Sequence, residues 1–195
     1  GCVVASNGLS ACNDGGGHGL HVTGSGAARL VVSNCVFRDQ TYASQCSGGL
    51  NNGGAINATS FARVEIVGSS FVNNGGTYGS GVGTQHAYRN SSGRAVYVKD
   101  SPVSLRGCSF LGNRGTAGYI GSIGTKLSGG TVALVGACGG SEIRNCRFLG
   151  NANDFVMGGG SQSDYSTYGG GALLLNLTDA TQAATVENCT FAWNV

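Results

Sequence analysis

One six-residue pattern recurs along this chain and limits what it can fold into. It reads Cys35-Val-Phe37, Ser69-Ser-Phe71-Val-Asn-Asn74, Cys108-Ser-Phe110-Leu-Gly-Asn113, Cys146-Arg-Phe148-Leu-Gly-Asn151 and Cys189-Thr-Phe191-Ala-Trp-Asn194, with an earlier copy from Cys2 through Val4 to Asn7. The consensus is C-x-F-x-x-N. From Val4 onward its third positions lie 33, 34, 39, 38 and 43 residues apart, and the motif takes five of the seven Phe and five of the eight Cys. Self-similarity at such a period marks a repeat architecture, in which no single unit can bury its own apolar face.

Two more stretches precede each motif. Five residues before the Phe stand Val32, Ile66, Leu105, Ile143 and Val186; three before it stand Asn34, Gly68, Gly107, Asn145 and Asn188. Asn and Gly adopt φ > 0 at the least cost, so a short apolar strand is expected to turn there and resume as C-x-F. Cys and Phe, two apart, share a face of that strand, and Phe makes it the interior. Further upstream, Gly19 to Val22, Gly53 to Ile56, Arg94 to Val98, Gly129 to Leu134 and Gly169 to Leu175 supply a third apolar stretch.

Three short strands per repeat, with a loop after the Asn absorbing the drift in period, predict an all-β chain. It would form a right-handed parallel β-helix, a solenoid of about five to six coils. Leucine-rich repeats are shorter, and a propeller blade of about 40–45 residues needs four strands.

Composition agrees. The 37 Gly among 195 residues disfavour helices, because Gly costs about 1 kcal/mol per helical site relative to Ala. A single Pro excludes collagen. Charged residues are 10% of the chain, and a net charge of +2 without a Lys/Arg cluster argues against a nucleic-acid partner. No apolar run approaches the ~18 residues of a membrane span.

Gly53-Gly54-Ala55-Ile56 followed by Phe71-Val-Asn-Asn74 resembles the GGAI and FxxN repeats of the chlamydial polymorphic outer membrane proteins. The resemblance extends over nearly the whole chain, although Gln40 stands where Asn is expected and the third repeat, at Arg94, lacks the Gly pair. It implies a right-handed parallel β-helix displayed outside the cell and used for adhesion.

Stacked coils turn equivalent positions into columns. Phe37, Phe71, Phe110, Phe148 and Phe191 should stack as an aromatic core, and Asn74, Asn113, Asn151 and Asn194 should hydrogen-bond from coil to coil. Cys2, Cys35, Ser69, Cys108, Cys146 and Cys189 form a third column, expected to hold mostly reduced, buried thiols, since in-register side chains point in parallel. Cys12 and Cys46 each precede their Phe by 25 residues, in loops free to adjust, and are the expected disulfide. Such a bridge would fit an extracellular or cell-surface location. Cys138 has no evident partner.

Outward positions carry what functional information there is. Val72, Leu111, Leu149 and Ala192 follow their Phe by one residue, and Trp193 comes next; they form an apolar stripe that either a loop covers or a partner contacts. Arg144 and Glu187 should pair as vertical neighbours. Asn57, Asn90 and Asn176 head Asn-x-Ser/Thr sequons and are candidate glycosylation sites, whereas Asn188 sits in the tight turn.

Catalysis is not expected. Polysaccharide cleavage needs carboxylates converging on one groove, and here they fall at scattered offsets. Only Glu65 and Glu142 share one, with Ser104 of an intervening coil between them. No catalytic residue, cofactor or metal site is assigned; His18, His21 and His86 show no metal-binding spacing.

The chain begins inside one motif and ends one residue after another, without a polar cap. The expectation is therefore a single segment, 1–195, of a longer solenoid or fibre. Its function would be structural or adhesive, and its partners other copies or surface glycans. The loops Asn7–Gly15, Arg38–Asn52, Gly75–Ser92, Arg114–Ser128 and Ala152–Tyr168 would decide what it touches. The alternative is a polysaccharide-active enzyme, lyase or glycoside hydrolase-like, on the same fold.

Overall fold

The structure is a computed structural model that describes residues 1–9, 19–44, 53–78, 93–119, 129–157, 171–179 and 181–195. Every regular element among them is a β-strand, and every strand pairing is parallel. Three sheets run the length of the molecule. The motif sheet stacks Val3–Ala5, Val36–Arg38, Ser70–Val72, Ser109–Leu111, Arg147–Leu149 and Thr190–Ala192 in chain order. The leading sheet holds Leu20–Thr23, Ile56–Thr59, Val96–Lys99, Val132–Gly136 and Leu173–Leu177, and the middle sheet Arg29–Ser33, Arg63–Val67, Val103–Arg106, Ser141–Arg144 and Ala184–Glu187. This is a parallel β-helix, in which the chain visits leading, middle and motif sheets once per coil.

The coil also carries strand beyond these three. After the motif Asn, in segments expected as loop, the chain continues as Thr41–Ser44, Gly75–Tyr78, Arg114–Tyr119 and Ala152–Met157, which pair in groups of three (with Gly8–Leu9) and two. Their starts, Thr41-Tyr, Gly75-Gly, Arg114-Gly and Ala152-Asn, share no apolar alternation that would announce them.

The turn between middle and motif sheets lies where Asn and Gly were expected to take φ > 0: Asn34, Gly68, Gly107, Asn145 and Asn188 have φ of 50–61°. A second left-handed column, not anticipated, closes the other end of the motif strand. Ser6, Asp39, Asn73, Gly112, Gly150 and Trp193 all have φ between 52 and 62°, which accounts for the fifth position of C-x-F-x-x-N. Ser, Asp, Asn and Gly are residues that tolerate this region; Trp is not.

Inside, residues in register stack on themselves. The Phe rings lie nearly parallel, with centroids 4.7–5.2 Å apart. Free aromatic pairs prefer offset or edge-to-face contact; here strand spacing of about 4.8 Å fixes the face-to-face arrangement. Ile66, Leu105 and Ile143 from the middle sheet, and Ile56, Val96 and Val132 from the leading sheet, complete a fully buried core. Burying each such side chain contributes about 1.5–3 kcal/mol.

The Asn column is the polar counterpart. Asn113 shows the pattern: its Nδ2 donates to Phe71 O and to Asn151 Oδ1, both at 3.0 Å, while its Oδ1 accepts from Asn74 N and Asn74 Nδ2, both at 3.0 Å. Asn74 and Asn151 repeat it. Each amide thus ties three consecutive coils. Gln40 keeps part of the role, its Nε2 reaching Val4 O at 2.9 Å and Arg38 O at 3.0 Å, but its buried Oε1 has no partner among the described residues.

Candidate functional site

On the outer face of the motif sheet, Arg38, Val72, Leu111, Leu149 and Ala192 fall in register, one per coil. Val72, Leu111, Leu149 and Ala192 are half-buried, and the neighbouring outward row is Val36, Ser70, Ser109, Arg147 and Thr190. The strand pleat turns both rows outward while Phe turns in. The result is a flat strip, apolar along one row and small and polar along most of the other. Trp193 does not belong to the strip. It occupies the left-handed corner column at φ 55° and is 82% exposed.

The middle sheet concentrates charge. One outward row runs Val31, Glu65, Ser104, Glu142, Thr185 and the next Ser33, Val67, Arg106, Arg144, Glu187. Glu65 and Glu142 thus share a row with Ser104 between them, as the repeat predicted. Both are engaged by arginine: Glu65 with Arg29, Glu142 with Arg106 at 2.7 Å and, more loosely, with Arg144 at 3.8 Å. These hydrogen bonds hold both carboxyls below the usual carboxylate range. Arg144 pairs with Glu187 at 3.0 Å, the vertical contact expected. Arg29 and Arg63, opposite each other in the adjoining outward row, were missed, although Arg63-Val-Glu65 shows the alternation that puts Arg63 on the same face as Glu65.

The remaining described acidic side chains are also engaged. Asp39 lies 3.7 Å from Arg38, Asp100 accepts from Ala137 N at 3.0 Å, and Asp179 accepts from Thr181 N and Oγ1 at 2.8 Å. The Thr181 bonds hold the Asp179 carboxyl low. The carboxyls of Glu65, Glu142 and Asp179 are thus held low, opposite to the direction a general acid needs. Among the described residues no group of three or more His, Cys, Asp and Glu could hold a metal ion; His18 and His86 lie outside them.

The sequons differ in presentation. Asn57 is buried, 7% exposed, within Ile56–Thr59, which is not the exposed loop an acceptor asparagine needs. Its alternating position faces out of the leading sheet, where its row runs from exposed His21 through half-buried Tyr97 to buried Ala133 and Leu174. Asn176 is half-buried near the end of Leu173–Leu177, and Asn90 lies outside the described residues.

Cys12 and Cys46, the expected disulfide, also lie outside the described residues. The six described cysteines are free, and Cys35, Cys108, Cys138 and Cys146 are buried. Their column has a local role that spacing did not reveal. Cys35, Cys108, Cys146 and Cys189 each bond the carbonyl two residues earlier, at 3.2–3.5 Å, across the Asn/Gly turn. Ser69 does the same through Oγ to Val67 O at 3.1 Å, so Ser substitutes for Cys without changing the bond. Cys138, apart from the column, lies in the core and bonds Val135 O at 3.3 Å; burial pushes its thiol up.

Two pairs within the column touch. Cys2 Sγ donates to Cys35 Sγ at 2.8 Å, which pushes the Cys2 thiol up and holds that of Cys35 down. Cys108 and Cys146 share a thiol hydrogen bond, which pushes Cys146 up, with burial adding to it, and holds Cys108 down against the effect of burial. Both pairs are in register across adjacent motif strands. No family model matches the chain, and no curated protein or solved structure matches it either.

Proposed function

We propose that this chain is an extracellular, non-catalytic β-helix with a structural or adhesive role, displayed on a surface or built into fibres. The observation that carries the reading is the strip on the motif sheet. Val72, Leu111, Leu149 and Ala192 repeat at the coil spacing on a flat face, a surface suited to a partner that is itself flat or periodic. Another copy of this chain and a surface glycan both have that character, and the resemblance to surface adhesins agrees. The test is light scattering and electron microscopy of the purified chain over a range of concentrations, with binding to a glycan array alongside. Self-association or glycan binding that Leu111→Asp with Leu149→Asp reduces at least tenfold supports the reading. A wild-type chain that stays monomeric and binds no glycan overturns it.

The alternative, a polysaccharide-active enzyme, would rest on Glu65 and Glu142 in one outward row. Their engagement by Arg29 and Arg106 favours the ionised form of both, leaving neither suited to donate a proton. Product release from a polysaccharide panel, lost in Glu142→Gln, would restore that alternative.

A further inference from the structure

We propose that Cys2 and Cys35 are an oxidisable thiol pair that closes into a disulfide fastening the first coil to the second. Three observations converge on this pair. Their strands are in register, Val3 opposite Val36, which places successive Cα atoms near the strand spacing of about 4.8 Å, within the range a disulfide spans. In-register side chains were expected to point in parallel, yet here the two sulfurs have turned toward one another to 2.8 Å, only about 0.8 Å beyond a disulfide bond. The pair is also reachable, because Cys2 is exposed.

The rest of the column shows why this pair is singled out. Cys108 and Cys146 also touch, but they are 2% and 1% exposed, so an oxidant does not reach them in the folded chain. Ser69 stands between the two groups and bonds its own turn and the Cys35 amide. Cys35 therefore has a thiol on one side only, and exchange cannot pass along the column.

Oxidation needs a co-reactant, and a low-molecular-weight disulfide of the glutathione class suffices. The exposed Cys2 thiol gives up its proton to solvent and attacks one sulfur of that disulfide, breaking its S–S bond and releasing one small thiolate, which takes up a proton. The Cys35 thiolate then attacks the Cys2 sulfur of the mixed disulfide and expels the second. Two protein thiols are oxidised, one small disulfide is reduced to two thiols, and the protons lost by the cysteines are taken up by the departing thiolates. Val3–Ala5 pairs with Val36–Arg38, so the bridge adds a covalent tie beside an existing strand pairing. Nothing in this inference depends on the proposed location or on a binding partner.

The experiment incubates the full folded chain with oxidised glutathione, alkylates the remaining thiols and maps the peptides by mass spectrometry. A Cys2–Cys35 linked peptide is expected, with Cys108 and Cys146 alkylated only after unfolding. Hydrogen exchange at Val3–Ala5 should slow at least threefold in the oxidised form. Cys35→Ser, the replacement that Ser69 already makes one coil on, should leave Cys2 stranded as the glutathione mixed disulfide. The inference is overturned if wild-type Cys2 remains a mixed disulfide, if it links to Cys12 or Cys46, or if both thiols stay alkylatable.

Discussion

Two polar columns run the length of this solenoid, a few residues to either side of the stacked phenylalanines, and they hold it in different ways. The amides of Asn74, Asn113 and Asn151 bond the coil before and the coil after. Most cysteines bond a carbonyl in their own turn, two residues back, and Cys108 and Cys189 also reach one carbonyl of the coil before, Ile66 O at 3.3 Å and Ile143 O at 3.5 Å. The first column works entirely between coils, whereas the second closes the corner at every repeat and joins coils only in part. The difference explains their tolerance of replacement. Ser69 fills a Cys position with the same bond, while Gln40 fills an Asn position and leaves a buried oxygen unpaired among the described residues.

The comparison breaks most visibly at Asn113. Asn113→Ala removes two donors and a doubly used acceptor from a fully buried site. The carbonyl of Phe71 and the amide of Asn74 lose their partner. Buried unsatisfied groups cost about 1–3 kcal/mol each, so the substitution is expected to destabilise the chain by about 4 kcal/mol. At about 2–4 °C per kcal/mol for a domain of this size, Tm should fall by roughly 12 °C. A loss below about 1 kcal/mol in denaturant titration would show that the column is ornamental to stability and that the Phe stack alone holds the coils.

Gln40→Asn runs the test in the other direction. The shorter amide matches the geometry of Asn74, Asn113 and Asn151 and removes the buried orphan oxygen, so stability should rise by about 1 kcal/mol. An unchanged or lower midpoint would mean that the longer side chain is needed to reach Val4 O. Cys108→Ser sharpens the other half of the comparison. Because Ser69 already makes the corner bond, the change should stay within about 1 kcal/mol, read from the same titrations. A cost approaching that of Asn113→Ala would show that the thiol is held for its packing with Cys146 rather than for its own turn.

What was legible in the sequence divides along the same line. Inward columns and left-handed turns accept few residue types, so Phe, Asn and the Asn/Gly turn repeat visibly, and their partners follow from the spacing. The second left-handed column was harder to see. Four residue types satisfy its backbone before Trp193 is counted, and Trp193, which tolerates φ > 0 poorly, looked like one more member of the apolar stripe. The strands after the Asn were missed because their pairing is carried by backbone hydrogen bonds such as Gly75 N to Gln40 O and Arg114 N to Asn74 O, which leave no side-chain pattern. For the surface, the repeat placed Glu65, Glu142, Arg144 and Glu187 in their rows. The Arg144–Glu187 pair followed from that placement, but alternation alone could not say that Arg29 and Arg106 engage the other two carboxylates.

Those Arg–Glu rows are a third form of coupling, and they should have the smallest effect. Like the Asn column they join one coil to the next: Arg29 to Glu65, Arg106 to Glu142, Arg144 to Glu187. Unlike it they sit in solvent, where water and salt screen the charges. Because the folded-state pKa values of Glu65 and Glu142 are depressed, their contribution is present above the unfolded-chain value of about 4.3. It is lost as pH falls below that value and through the folded-state ones, since the unfolded chain then binds protons more readily than the folded one. Stability should therefore decline slightly over that acid window, and the decline should shrink in Glu142→Gln. In NMR titrations both carboxyls should move toward the ordinary range when salt is raised to about 1 M, where the screening length is about 3 Å. If they stay depressed, the arginines act as oriented hydrogen-bond donors rather than as charges, and the rows resemble the Asn column more closely than their exposure implies.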